Sequence, residues 1–123
     1  MKITTFNPQI VTNNAEAIIK LFEELGFERR HHQEGIGELD VTGTRMKTEN
    51  GFYLDISELN TPLPQNMVVI RMNVDDFDEV FDKLISLGFR NIYGDQKVNT
   101  KSAKSAMMIS ESGIAINLVQ HIK

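Results

Sequence analysis

FEELGF at residues 22–27 and LISLGF at 84–89 both close a helix-like apolar pattern on Leu-Gly-Phe. Gly26 and Gly88 lie 88 − 26 = 62 positions apart, and Gly51 and Gly113 lie 113 − 51 = 62 positions apart, so no gap is needed to align them. Under that one offset Leu25, Phe27, Met46 and Glu49 meet Leu87, Phe89, Met108 and Glu111, while Asn14 and Glu16 meet Asp76 and Asp78. Glycine after a helix is common, so each pair alone carries little. An ungapped series of matched turns reads as one unit written twice.

Each copy carries the same order of elements. In the first, ITTFNPQIV alternates as a strand does, with Pro8 arguing for an edge position or a bulge. Asn13 or Asn14 then caps a helix whose stripe is Ala15, Ile18, Ile19, Phe22 and Leu25, and Gly26 stops it. FERRHHQ, ELDVTGTRMK and FYLDIS follow as three extended segments separated by EGIG and ENG turns. In the second copy NMVVIRMNV is the strand and Asp75 or Asp76 the cap. Phe77, Val80, Phe81, Leu84 and Leu87 form the stripe, and RNIY, SAMMIS and IAINLVQ are the extended segments. LNTPLPQN, with two prolines and no periodicity, reads as a linker. The expected organisation is a single domain with module one at 1–58, a linker at 59–66 and module two at 67–123.

Composition narrows the function. A chain of 123 residues with 41% hydrophobic content can bury one core. A formal charge of −4 argues against a nucleic-acid partner, which calls for a basic stripe. No apolar run reaches the ~20 residues of a membrane helix, and MKITTFNPQ lacks the apolar stretch of a signal peptide, so no membrane partner and a cytoplasmic location are expected. With no cysteine, any metal or acid–base work falls to histidine and carboxylates.

A strand–helix–three-strand unit repeated in tandem resembles the vicinal oxygen chelate superfamily, which includes glyoxalase I, bleomycin-resistance proteins and extradiol dioxygenases. The resemblance runs over nearly the whole chain and is carried by NNAEAIIKLFEELGF, ENGFYLDIS, VDDFDEVFDKLISLGF and ESGIAINLV. It implies an α+β fold of tandem βαβββ modules, their curved mixed sheet enclosing a cleft, with helices on the outer faces. It also implies that chemistry sits on the first and last strands of each module.

Strand alternation sorts those positions into faces. On the first strand Phe6 and Ile10 form the apolar set, leaving Thr5, Asn7 and Gln9 opposite. Phe52, Leu54 and Ile56 leave Tyr53, Asp55 and Ser57. In copy two the helix-facing sets are Val68, Ile70, Met72, Val74 and then Ile114, Ile116, Leu118, leaving Val69, Arg71, Asn73 and then Ala115, Asn117, Val119. An ordinary solvated sheet face would read the same way.

In metal-dependent members of the superfamily His and Glu ligands fall where this chain has Asn7, Asp55, Val69 and Asn117. Of these only Asp55 suits a divalent transition metal, so no metal and no cofactor are expected. His31 and His32 are adjacent on a strand and point to opposite faces unless a bulge intervenes; one of them with Asp55 and Glu34 is a conceivable zinc or nickel site. His121 reads as an exposed end. Asn7, Gln9, Tyr53, Asp55, Arg71, Asn73 and Asn117 remain as candidate ligand-binding residues. Arg71 either orients an anionic or carbonyl-bearing ligand or closes an internal salt bridge with Asp55, itself a candidate general base. In GDQKVNTKSAKSAMM, Lys97, Lys101 and Lys104 mark either a lid or a solvated loop, and Met107 and Met108 point opposite ways.

The resulting expectation is a metal-independent small-molecule binding protein with a polar or anionic ligand, present as a homodimer. The alternative is a lyase or isomerase similar to glyoxalase I, using an unrecognised metal or Asp55 as base.

Overall fold

Ten residues of helix precede each Leu-Gly-Phe. The computed structural model describes residues 2–36, 41–60, 62–92, 98–99 and 103–121; in it helix α1 spans Ala15–Glu24 and α2 spans Phe77–Ser86. Asn14 and Asp76 are the N-caps, their side-chain oxygens accepting from the backbone N–H of Ala17 and Glu79 at 3.3 and 3.1 Å. A long-range cap accompanies each. The Ala15 N–H donates to Glu58 Oε1 at 2.9 Å, and the Phe77 N–H donates to Gln120 Oε1 at 2.8 Å. Both ends of that bond are shifted by the repeat offset.

The helix ends are copied as closely. The Gly26 and Gly88 N–H groups donate to the carbonyls of Glu23 and Ile85, each at 3.1 Å. The Phe27 and Phe89 N–H groups reach the carbonyls of Phe22 and Leu84 at 2.9 and 3.0 Å, completing a Schellman motif. The two glycines hold φ of 101° and 96°, a backbone region that a Cβ disfavours. Phe27 packs edge-to-face on Phe22, ring centroids 5.4 Å apart. Leu25 and Leu87, expected on the apolar stripes, are instead the C-caps, each 65% exposed, because the helical twist stops one residue before them.

The strands are β1 (Ile3–Thr12), β2 (Glu28–Ile36), β3 (Val41–Lys47), β4 (Tyr53–Glu58), β5 (Met67–Val74), β6 (Arg90–Asn91), β7 (Val98–Asn99), β8 (Ala103–Ile109) and β9 (Ala115–His121). The chain is therefore α+β, and it divides into two compact units, Asn7–Val68 and Met1–Phe6 with Val69–Lys123.

In the Asn7–Val68 unit the strand order is β2-β3-β4-β1. β1 and β4 are parallel, with Gln9 opposite Asp55, and the other pairs are antiparallel. Met46, Leu54 and Ile56 face α1 and bury Ala15 and Ile19, with Ile10, Ile18, Phe22 and Phe27 around them. Pro8 lies within β1, immediately before its register with β4 begins. The linker residues are tied down: the Leu63 N–H donates to Asn13 Oδ1 at 2.7 Å, and Thr12 Oγ1 donates to Asn66 Oδ1 at 2.8 Å.

In the other unit the order is β5-β9-β8-β6, with β7 also on β8. β5 and β9 are parallel, Arg71 opposite Asn117, which is the β1–β4 register moved by the offset. Met72, Val74, Ala106, Met108 and Leu118 pack on Phe77, Val80 and Leu84 of α2. The turn before β9 repeats the turn before β4 bond for bond. Thr48 and Ser110 N–H donate to the carbonyls of Phe52 and Ile114 at 2.9 Å, and their hydroxyls accept from the N–H of Phe52 and Ile114 at 2.9 and 3.0 Å.

Four residues expected to pack under the helices are left uncovered by them. Phe6 (64%), Phe52 (65%), Val68 (73%) and Ile114 (50%) are exposed. A ten-residue helix is about 15 Å long, shorter than the strands it lies on, so positions at or just before the strand starts lie beyond its reach. The lysine-containing segment after RNIY is also not wholly a loop. β7 pairs there with β8, Val98 opposite Ser105; Lys97 and Lys101 lie outside the described residues, and Lys104 on β8 sits 3.6 Å from Asp78. No described helix is long and apolar enough to cross a membrane.

Candidate functional site

Because Met46 and Thr44 on β3 turn toward α1 with Leu54 and Ile56, their neighbours must turn away. The register then sets Arg45 beside Asp55, Lys47 beside Tyr53 and Gly43 beside Ser57, with Gln9 on the other side of Asp55. Asn7, Gln9, Tyr53 and Asp55, four of the expected ligand-binding residues, thus share one face of the Asn7–Val68 unit. Arg45 and Lys47 join them. The alternation of β3 about Met46 could have revealed both.

Asp55 is the centre of this face. Its side chain is 8% exposed, and both oxygens are engaged. Oδ1 lies 3.3 Å from Arg45 Nε, while Oδ2 accepts from Asn7 Nδ2 at 2.7 Å and from Arg45 Nη2 at 3.4 Å. Arg45 Nη2 also donates to Asn7 Oδ1 at 3.2 Å, closing a three-residue network. Gln9 is buried and donates through Nε2 to Ser57 Oγ. The Tyr53 ring lies below two cations, 4.4 Å from the Arg45 guanidinium carbon and 5.1 Å from Lys47 Nζ. Within this unit, then, Arg45 is the salt-bridge partner of Asp55.

Arg71, Asn73 and Asn117 share the corresponding face of the other unit. Arg71 Nε donates to Asn73 Oδ1 at 3.2 Å, and Asn117 sits opposite Arg71 in the register. Asn73 is buried at 5% exposure and Val69 at 1%. Met107 pairs with Asn117 on this face, while Met108 is wholly buried among the residues packed on α2.

The residues at the superfamily's chelating positions do not fit a divalent metal. Val69 has no donor, Asn7 and Asn117 offer amides, and the one carboxylate is already committed to Arg45 and Asn7. Among the described residues no three His, Asp or Glu side chains converge. His31 and His32 stand on β2 after a register shift that follows Arg29, in consecutive register with Arg45 and Thr44; their side chains, and that of Glu34, lie outside the described ones. His121 ends β9 and is exposed.

No family model and no curated protein matches the chain. Solved structures do. Methylmalonyl-CoA epimerase from Streptomyces coelicolor, in complex with 2-nitronate-propionyl-CoA, is similar at TM-score 0.72 and 18% identity, covering 99% of this chain and 100% of that one. Methylmalonyl-CoA epimerase from Mycobacterium tuberculosis follows at TM-score 0.69 and 13% identity, covering 98% and 90%. A glyoxalase/bleomycin resistance protein/dioxygenase superfamily member from Vibrio splendidus gives TM-score 0.62 and 15% identity, covering 98% and 100%. Those likenesses, with two βαβββ units joined in tandem at one offset, establish that this chain has the vicinal oxygen chelate fold.

Proposed function

We propose that the chain binds a small polar or anionic molecule without a metal ion, through the face of the Asn7–Val68 unit that carries Asn7, Gln9, Arg45, Tyr53 and Asp55. The observation that carries this reading is the state of Asp55. It is the one carboxylate at the chelating positions, and its oxygens already serve Arg45 and Asn7. A carboxylate so used leaves the face with hydrogen-bond donors and a guanidinium, groups that orient a ligand rather than ligate a cation. Arg71, Asn73 and Asn117 offer similar amide and guanidinium chemistry on their own unit.

The lyase or isomerase alternative needs either an unrecognised metal, for which no His, Asp and Glu cluster converges among the described residues, or Asp55 as a general base within reach of a substrate proton. The hydrogen-bond partners Arg45 and Asn7 stand against the Asp55 route, and no observation favours either route over binding.

A thermal-shift screen of small polar and anionic compounds, run with and without a chelator, tests the reading. A ligand at a hundredfold excess over its Kd stabilises by about 2.7 kcal/mol, which for a chain of this size raises Tm by roughly 10 °C. The expected rise is the same in both arms. A stoichiometric metal in the purified protein, or a rise abolished by the chelator, overturns metal-free binding.

A further inference from the structure

We propose that Arg45 and Lys47, both over the Tyr53 ring, receive the oxyanionic end of that ligand, whose class is therefore a small organic anion. The proposal rests on the binding function given above and adds the charge of the ligand and the residues that read it.

Three observations converge on it. The first is charge balance. Arg45 and Lys47 lie two residues apart on one face of β3, a separation of about 7 Å, and both approach one aromatic ring. Asp55 offsets one of the two charges, leaving this cluster at +1. Glu28, opposite Lys47 in the register, is engaged 3.1 Å from Arg30 instead.

The second is that Arg45 is positioned but poorly bonded. Its contacts to Asp55 and Asn7 measure 3.3, 3.4 and 3.2 Å, where charge-assisted hydrogen bonds run about 2.7–2.9 Å. Its Nε is buried, within ion-pair reach of Asp55 yet not aligned for a hydrogen bond to any of the described residues. A buried donor left so is costly. By contrast Asn7 meets the same carboxylate at 2.7 Å.

The third is orientation. The Asp55 side chain is 8% exposed and that of Arg45 is 29% exposed, so the carboxylate forms the floor and the guanidinium the solvent side. An oxyanion with one oxygen on Arg45 and another on Lys47, at charge-assisted distances of about 2.8 Å each, spans their gap and relieves their repulsion.

The experiment titrates the full chain with butyrate and, separately, with its neutral isostere butyramide, following backbone and Arg Nε resonances by heteronuclear NMR. The expected result is that butyrate shifts Arg45 Nε and the β3 and β4 amides, while butyramide does so at least fivefold more weakly. Lys47→Met, at a partly exposed position, should lower butyrate affinity up to about fivefold, the range of one exposed charge pair, with an unchanged Tm as the check on folding. Butyramide perturbing the same residues with equal affinity overturns the charge reading and leaves the binding function standing. Neither compound perturbing this face overturns both.

Discussion

Replacing Arg45 with methionine separates a functional guanidinium from a merely structural one by what it does to Asp55. The Nε–Oδ1 separation is 3.3 Å; at that distance a pair of unit charges attracts by about 5 kcal/mol at an effective dielectric of 20 and by about 1.3 kcal/mol in water. With the guanidinium 29% exposed the upper figure needs discounting for solvent screening, and about 2 kcal/mol is the expected loss. Asp55→Asn should cost less, about 1 kcal/mol, because the stranded guanidinium reaches water whereas a stranded carboxylate does not. The double variant should fall short of the sum by about 1 kcal/mol, the coupling of groups in direct contact. Urea unfolding followed by circular dichroism reads all three. With an m-value near 1.5 kcal/mol/M, Arg45→Met lowers the midpoint by about 1.3 M. Strict additivity, or a larger cost for Asp55→Asn than for Arg45→Met, refutes the arrangement of buried carboxylate and outward guanidinium.

Gly26→Ala and Gly88→Ala should each destabilise by about 1 kcal/mol or more, and by nearly equal amounts in thermal unfolding. Both positions have positive φ and no atom within 4 Å of an added Cβ, so the cost is conformational in both. Phe52→Ser and Val68→Ser should change stability by no more than about 0.5 kcal/mol, whereas Met46→Ala and Met108→Ala, both wholly buried, should each lose about 2–5 kcal/mol in chemical denaturation. Gln120→Ala should cost about 1 kcal/mol and speed amide exchange at Phe77, whose N–H the side chain accepts.

The repeat was legible because its markers are residues with few substitutes. A backbone at φ near 100° calls for glycine, so Gly26, Gly51, Gly88 and Gly113 stay visible in sequence whatever surrounds them. The caps Asn14 and Asp76 are legible for a similar reason, their side chains replacing a missing backbone partner. Long-range caps are not: nothing local in Glu58 or Gln120 says that either crosses from the end of a strand to the start of a helix. Alternation also assigns a face without saying whether anything covers it. That is why Phe6, Phe52, Val68 and Ile114 sit on the expected side yet meet solvent. Arg45 is not legible from the first and last strands of each copy, because it lies on β3, whose register sets it directly beside Asp55.

The two units differ where their backbone bonds do not depend on the side chain. Besides the strand ladders, the duplicated hydrogen bonds described above lie at helix ends and tight turns, and each such bond is worth about 1 kcal/mol of local stability. On the sheet face away from the helices the equivalents part company: Asn7 against Val69, Arg45 against Met107, Lys47 against Ile109, Tyr53 against Ala115, Asp55 against Asn117. Ladder hydrogen bonds run through the main chain, so these side chains can change without disturbing the register, and Gln9 opposite Asp55 aligns as Arg71 does opposite Asn117. One unit has thereby gathered two cations, a carboxylate and an aromatic ring on a scaffold where the other carries a single guanidinium, Arg71, among amides, methionine and apolar residues. Chemistry that reads charge consequently concentrates in Asn7–Val68, and loss of ligand response from Arg45 and Lys47 substitutions, with none from Met107→Leu, is the asymmetry that a shared scaffold alone would not produce.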